Sequence, residues 1–349
     1  MKKLLALGLS AFLALGLTAC GSKSEGVNNA GSSSSGTSTE AAKPVETTTL
    51  KLAHNLNEQH SVHIAMVEFA RLAEEKSEGS LKFEIFPNGQ LGGESEVLEQ
   101  LQAGAVSMTK VSAAALTPYS EGYNAFTLPY VFLNEEHFYK SMESDAVKEL
   151  YAETKEQGFI GLTYYNSGAR SFYTKNKPIL TPADLKGVKI RVMGFESQTD
   201  MIQALGGTPV GLPYGDVYTS LQSGVIDGAE SNETALTIGK HGEVAKQFSY
   251  DEHTRIPDIL VMSSKVMDSL TAEQQQVIFE AAAESTEFHK PLWTASIDEA
   301  IKEAQETQGV TFNEVDKGPF REAVAPMIEK YASAMPQVKA LLDAFKGLE

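Results

Sequence analysis

The sequence contains a single cysteine, Cys20, so no intramolecular disulfide can form. Basic residues are scarce: 29 Lys and Arg stand against 46 Asp and Glu, for a formal net charge of −17. That balance argues against a nucleic-acid surface, whose affinity comes from Lys and Arg neutralising phosphates, and against docking on anionic lipid. It leaves room for a small anionic ligand, which is held by local groups rather than by net charge. After residue 20, no segment approaches the roughly eighteen unbroken apolar residues of a membrane-spanning helix. Enzyme signatures are also missing. There is no nucleophilic Cys, no Gly-x-Ser-x-Gly elbow, no Walker loop and no His-Glu-x-x-His. Of seven histidines only His60 and His63 are close, at i, i+3, and without an obvious carboxylate partner they read as a helix-start pair rather than a metal site. No metal, no cofactor and no catalytic residue is expected.

What is present begins with a leader. Met1-Lys2-Lys3 is a short basic start, Leu4 to Leu17 is apolar with small interruptions, and Leu17-Thr18-Ala19-Cys20 closes it. This reads as a secretory signal over 1–19 rather than a transmembrane span. Leu-x-Ala-Cys resembles a bacterial lipobox, in which Cys20 carries the lipid. A lone Cys in an exported chain is thereby explained, and the membrane is contacted only through that anchor. Residues 20–47, with Gly31-Ser32-Ser33-Ser34-Ser35-Gly36, are too poor in apolar surface to fold and read as a flexible tether. The remaining 300 or so residues suffice for two domains.

From Thr48 the pattern alternates between strands and helices. Thr48–Ala53 and Leu81–Phe86 read as strands, and Ser61–Ser77 and Glu94–Gln102 as helices ended by Gly79 and Gly104. Helical signals recur over 135–157. A second alternating run includes strands at Gly161–Tyr165, Ser171–Thr174 and Val188–Val192, a turn opened by Thr181-Pro182, and helices stopped by Gly206 and Gly224. This is an α/β class with mostly parallel sheets. Thr271-Ala272-Glu273-Gln274 is a capping box opening a stretch that continues to about Gln308, roughly 55 Å of helix. Pro291 inside it should kink or break it. It is either one long helix spanning two lobes or two helices meeting at the proline.

Arg191 stands in the apolar strand Lys189-Ile190-Arg191-Val192, where a guanidinium is costly without an anionic partner. Its planar fork matches a carboxylate bidentately. That carboxylate is either an internal Asp or Glu or one carried by a ligand.

Four stretches resemble the substrate-binding proteins of tripartite ATP-independent periplasmic (TRAP) transporters, the DctP-like family. They are Pro87-Asn88-Gly89-Gln90-Leu91-Gly92, Thr127-Leu128-Pro129-Tyr130, Pro182 to Val192, and Tyr214 to Glu230. The likeness runs over the whole body from 48 to 349. It implies a two-lobed periplasmic-binding-protein fold with the ligand between the lobes: lobe I from 48–168 and 257–296, lobe II from 169–256 and 297–349. It also implies that Arg191 clamps the ligand carboxylate and that Arg170 assists. His54 and Asn55 after the first strand, Glu94, Lys110 and Ser112, and Tyr214 occupy further positions that line the family's cleft. Many members read Asp-Gly-x-Glu-Asn, whereas this chain has Asp227-Gly228-Ala229-Glu230-Ser231-Asn232, so Ser231 stands where an amide contacts the ligand and either Ser231 or Asn232 substitutes for it.

The same positions suit a polyhydroxylated acid, and a resemblance within the family narrows it to a sugar acid. Glu94, Asn55, Asn232 and Ser112 supply the donors and acceptors that hydroxyls need, and Met108 to Ala113 and Ser167 to Thr174 resemble members that take hexuronates. A C4-dicarboxylate is the alternative, with Lys110 as second cation, and sialic acid follows. The expected partner is a TRAP membrane permease, and the expected place is the extracytoplasmic face of the cell membrane. An exported enzyme and a ligand-sensing lipoprotein are the readings from other classes. The first would need a nucleophile–base constellation and the second a receptor.

Overall fold

The computed structural model describes residues 47–349. The leader, Cys20 and the tether up to residue 46 lie outside the described residues. The elements in chain order are β1 (Thr48–Ala53), α1 (Ser61–Lys76), β2 (Leu81–Phe86), α2 (Glu94–Ala103), β3 (Met108–Ser112), α3 (Glu135–Met142), α4 (Asp145–Glu153), β4 (Phe159–Tyr165), β5 (Arg170–Thr174), β6 (Lys189–Val192) and α5 (Glu196–Ala204). There follow β7 (Thr208–Gly211), α6 (Val217–Ser223), β8 (Gly228–Ser231), α7 (Thr234–Thr237), β9 (Gln247–Thr254), β10 (Asp258–Ser263), α8 (Ser264–Ser269), α9 (Ala272–Glu306), β11 (Thr311–Glu314), α10 (Gly318–Ala334) and α11 (Pro336–Lys346).

The strands form two sheets, one of five in the order β2-β1-β3-β10-β4 and one of six in the order β11-β9-β5-β8-β6-β7. In the first sheet β1 runs parallel to β2 and β3, while β10 is antiparallel to β3 and β4. In the second, β6 runs parallel to β7 and β8, while β5 is antiparallel to β8 and β9. The antiparallel strand in each case arrives from the other sheet: β5 follows β4 through residues 166–169, and β10 follows β9 through residues 255–257. Each lobe is thus an α/β layer completed by a strand that its neighbour supplies.

A third connection is α9. The capping box forms as its sequence indicates, with Thr271 Oγ1 accepting from the Gln274 N–H at 3.2 Å and Gln274 Oε1 accepting from the Thr271 N–H at 3.1 Å. Pro291 lacks an N–H and so removes one internal hydrogen bond, yet it lies inside a single helix of 35 residues. The two-helix alternative is therefore not the one realised. Val277, Ile278, Ala281 and Ala282 near its start belong to the core of the first lobe, and Ala304 near its end to a core of the second. Of the 297–349 stretch expected in the second lobe, α10 does pack against α5 and β9. Helix α11 instead crosses back onto α3, α4 and the turn at 121–126. Val338, Leu341 and Phe345, at i, i+3 and i+7, give it an apolar stripe for that surface. One core cluster consequently runs from Leu98 and Phe126 to Ile190 and Phe320, across both lobes. The helical stretch 135–157 divides into α3 and α4 at Ser144, whose extended backbone (ψ 155°) interrupts it.

Where β4 crosses to β5 the chain runs tight against α9. Gly168 has φ +71°, and a Cβ built there would lie 2.7 Å from Cζ2 of the buried Trp293. Gly168→Ala is therefore expected to lower the unfolding free energy by about 2–4 kcal/mol, from left-handed backbone strain and steric overlap together. Thermal melting should show a fall of several degrees, with part of it recovered when Trp293→Leu makes room. A Gly168→Ala protein that melts with the wild type would remove the close-approach account.

Candidate functional site

A cavity of about 630 Å³ lies between elements of the two lobes, within the size range of small-molecule sites. From the first lobe it is lined by Asn55, His60, Glu94, Lys110, Ser112 and Asp258, and from the second by Arg170, Arg191, Tyr214, Ser231, Asn232 and Thr234.

Arg191 sits on β6 between β7 and β8, opposite Val210 and Ala229. Strand alternation sends Ile190 and Val192 into the core and Arg191 to the other face. The side chain is buried, 4% exposed. Its Nε donates to the Leu212 carbonyl at 2.9 Å, and its guanidinium lies 5.9 Å from the centre of the Tyr214 ring. Neither Nη1 nor Nη2 has a hydrogen-bond or ion-pair partner among the described residues. Burial lowers its pKa, with Glu230 working in the opposite sense. The internal-carboxylate alternative for Arg191 thus finds no residue to supply it.

The internal carboxylate goes to Arg170 instead. Arg170 opens β5, and Glu230 on β8 closes on it: Nε donates to Oε2 at 2.5 Å, Nη2 to Oε1 at 2.8 Å and to the Glu230 carbonyl at 2.7 Å. Glu230 also lies 3.4 Å from His253 Nε2, whose Nδ1 is 2.7 Å from Asp251 Oδ2. Asp251 in turn accepts from the Phe172 N–H at 3.0 Å. Burial opposes charge on Glu230, but Arg170 and His253 outweigh it and hold the carboxyl at about 2. Burial likewise opposes charge on His253, and Asp251 and Glu230 overcome it to raise the imidazole to about 9. Arg170 lines the cavity, and the buried chain behind it was not foreseen from the sequence.

The first-lobe wall is built around Lys110, which is 2% exposed. Its Nζ donates to Asn55 Oδ1 at 3.2 Å and Asp258 Oδ1 at 3.1 Å, and pairs with Glu94 Oε1 at 3.5 Å. Glu94 opens α2, and its Oε1 also accepts from the Ser112 N–H at 3.0 Å and from Asn55 Nδ2 at 3.3 Å. Asp258 was not foreseen. It reaches the wall because β10 pairs with β3 antiparallel, placing Asp258 opposite Ser112 and diagonal to Lys110 on one face.

Two other residues change role. His54 does not line the cavity. Its Nε2 is 2.9 Å from His63 Nδ1, and its Nδ1 accepts from the Leu56 N–H at 3.2 Å, so it fixes the loop that presents Asn55. His60, read only as a helix-start residue, does line it. His60 Nδ1 accepts from Val62 N–H at 3.2 Å, so the proton is on Nε2, which donates to Thr234 Oγ1 across the cleft at 3.3 Å. Thr234 Oγ1 donates on to Asn232 Oδ1 at 2.6 Å, and Asn232 Nδ2 donates to the Ser167 carbonyl at 2.9 Å. Asn232 is thereby committed within the protein, whereas the Ser231 hydroxyl has no hydrogen bond among the described residues and faces the cavity.

The buried titratable groups give the stability a pH optimum. His54, His60, His241 and His289 are all lowered, chiefly by burial, to about 2 (His54) or about 3 (the others). The unfolded chain takes up these protons first, so stability falls as pH drops below about 6.5. For His253 the sign is opposite: its contribution is full below about 6.5 and is lost as pH rises through about 9. The Glu230 contribution, full above about 4.5, is lost as pH falls through about 2. Melting temperature should therefore peak near pH 6.5, and His253→Gln should flatten the decline between pH 6.5 and 9 while lowering the peak. An unchanged alkaline limb in that variant would refute the assignment.

The chain resembles known proteins over this whole body. The model of the DctP family, bacterial extracellular solute-binding protein, family 7, matches residues 52–334. A Salmonella typhimurium protein named YiiZ, itself uncharacterized, is 45% identical over 81% of this chain and 86% of its own length. A TRAP periplasmic solute-binding protein from Anaerococcus prevotii, solved with bound α/β-D-glucuronate, superposes with a TM-score of 0.84 at 34% identity, over 86% of this chain and 98% of that one. One from a Sulfitobacter species, with bound β-D-galacturonate, gives 0.83 at 34% identity over 86% and 100%. A cleft between two α/β lobes, floored by a buried arginine that no carboxylate among the described residues pairs with, is thus carried by a chain that belongs to the DctP family of bacterial extracellular solute-binding proteins, the TRAP type.

Proposed function

We propose that this protein captures a sugar acid, a hexuronate, in the cleft and delivers it to a TRAP permease, with Cys20 as its lipid anchor on the extracytoplasmic face. The observation that carries the reading is Arg191: a buried guanidinium, its Nε fixed by the Leu212 carbonyl, with both terminal nitrogens unpaired among the described residues. Such a group is costly when left alone, and a ligand carboxylate meets both nitrogens with two parallel hydrogen bonds. Arg170 contributes field and one further nitrogen, its other donors being held by Glu230. The Ser231 hydroxyl, rather than Asn232, supplies the contact that an amide makes elsewhere in the family. The solved relatives with bound glucuronate and galacturonate support the hexuronate class. Binding between lobes joined by three crossings shifts an open–closed equilibrium, and the closed form is what the permease meets.

Thermal unfolding of the purified protein with glucuronate, galacturonate, succinate, sialate and glucose tests this reading. A ligand at about a hundred times its Kd adds roughly 2.7 kcal/mol, a rise of a few degrees. A rise with a uronate and none with glucose is expected. A rise with succinate or sialate alone would keep the carboxylate clamp and reject the sugar-acid class. Arg191→Ala should weaken uronate binding by at least about a hundredfold, and a loss under about threefold would reject the clamp. For the anchor, Cys20→Ser should move the exported protein from the membrane fraction to the soluble fraction, and retention in the membrane fraction would reject it.

A further inference from the structure

Lys110 is the third cation of the cavity, after Arg191 and Arg170, and it is already taken. Its ammonium has three protons to donate, and Asn55 Oδ1, Asp258 Oδ1 and Glu94 Oε1 surround it at 3.2, 3.1 and 3.5 Å. One ammonium between two carboxylates leaves that cluster with one surplus negative charge, and the Glu96 carboxylate on the same wall adds to it. On the second-lobe wall Arg170 is matched by Glu230, so Arg191 leaves one surplus positive charge there. The second oxygens of the two carboxylates, Asp258 Oδ2 and Glu94 Oε2, accept no hydrogen bond among the described residues, and both residues line the cavity. Free acceptors there call for donors, which hydroxyls are. A second carboxylate placed against them would bring acceptors to acceptors and like charge to like charge, out of bulk water where such repulsion is felt most.

We propose that Asp258 is a specificity residue: together with Glu94 it overcompensates Lys110, so that the cleft accepts an acid with one carboxylate and hydroxyls at its far end and turns away diacids. The inference rests on the Arg191 clamp, which fixes which end of the ligand faces this wall. Asp258 is the residue that tests it most cleanly. Its side chain holds only Lys110, whereas Glu94 also holds the Ser112 N–H and Asn55. Asp258→Asn removes the charge and keeps an oxygen for the lysine.

Titration calorimetry of the purified protein compares D-glucuronate with D-glucarate, which carries a carboxylate at each end of a six-carbon chain. The wild type is expected to prefer glucuronate by at least about thirtyfold, and Asp258→Asn to narrow that ratio by about tenfold or more through tighter glucarate binding. Thermal melting alongside shows that the variant is folded. Glu94→Gln, removing the other charge, narrows the ratio in the same direction and keeps the measurement decisive if Asp258→Asn does not fold. A ratio unchanged in the folded variants overturns the inference and leaves the clamp standing. So does a wild type that prefers glucarate or succinate while still losing binding on Arg191→Ala. A wild type that binds none of glucuronate, galacturonate, glucarate and succinate overturns the clamp reading, and the inference with it.

Discussion

Glu230 feels two buried arginines and closes its carboxylate on only one of them. That allocation governs everything around the cleft. Had Glu230 been shared, neither guanidinium would present a free fork, and a ligand would have to displace an internal carboxylate before binding. With Glu230 closed on Arg170, Arg191 is held ready and unmet, its orientation fixed by a backbone carbonyl rather than by a competing anion. Preorganisation of this kind lowers the ordering cost at binding. The cost appears instead in the folded protein, as a buried charge without a partner. The chain from Glu230 through His253 to Asp251 and the Phe172 N–H helps the second lobe carry it.

The same division of labour extends to the lobes. Each sheet contains one strand from the other side, and α9 runs past both. The two walls of the cavity are therefore positioned by separate sheets but are not free bodies. The His60–Thr234–Asn232–Ser167 chain of hydrogen bonds crosses the cleft itself and ends on the segment that joins β4 to β5. The lobes touch through this hydrogen-bonded chain at the site and, away from it, through broad apolar packing and the hydrogen bonds of Tyr130 to the His253 and Asp251 carbonyls.

Much of this was legible in the chain before folding. Arg191 announced itself because a guanidinium flanked by Ile190 and Val192 in a short strand has few bland explanations. The capping box at Thr271 and the glycine stops at Gly104, Gly206 and Gly224 are local chemistry, and local chemistry survives into the structure. What escaped reading depends on distant register. Asp258 belongs to Arg255-Ile256-Pro257-Asp258, a stretch with no periodicity, and acquires its place only when β10 lies antiparallel to β3, nearly 150 residues earlier in sequence. The loop after β1 matches a cleft position of the family at both His54 and Asn55, but backbone geometry turns the His54 ring toward His63. Helix α11 carries a clear apolar stripe, yet a stripe names no partner, and proximity in sequence pointed to the wrong lobe.

Trp293 is the only tryptophan in the chain. It lies against Gly168 at the crossing from β4 to β5, with the His60 ring 6.1 Å away. Nature has thus placed the molecule's one strongly emitting indole at the junction between the lobes, within sight of the cavity yet outside its lining. Excited at wavelengths beyond the absorption of the 12 tyrosines, its fluorescence belongs to that junction alone. An unlabelled sample accordingly carries its own optical gauge of the angle between the two halves, readable on the timescale of a stopped-flow mixer.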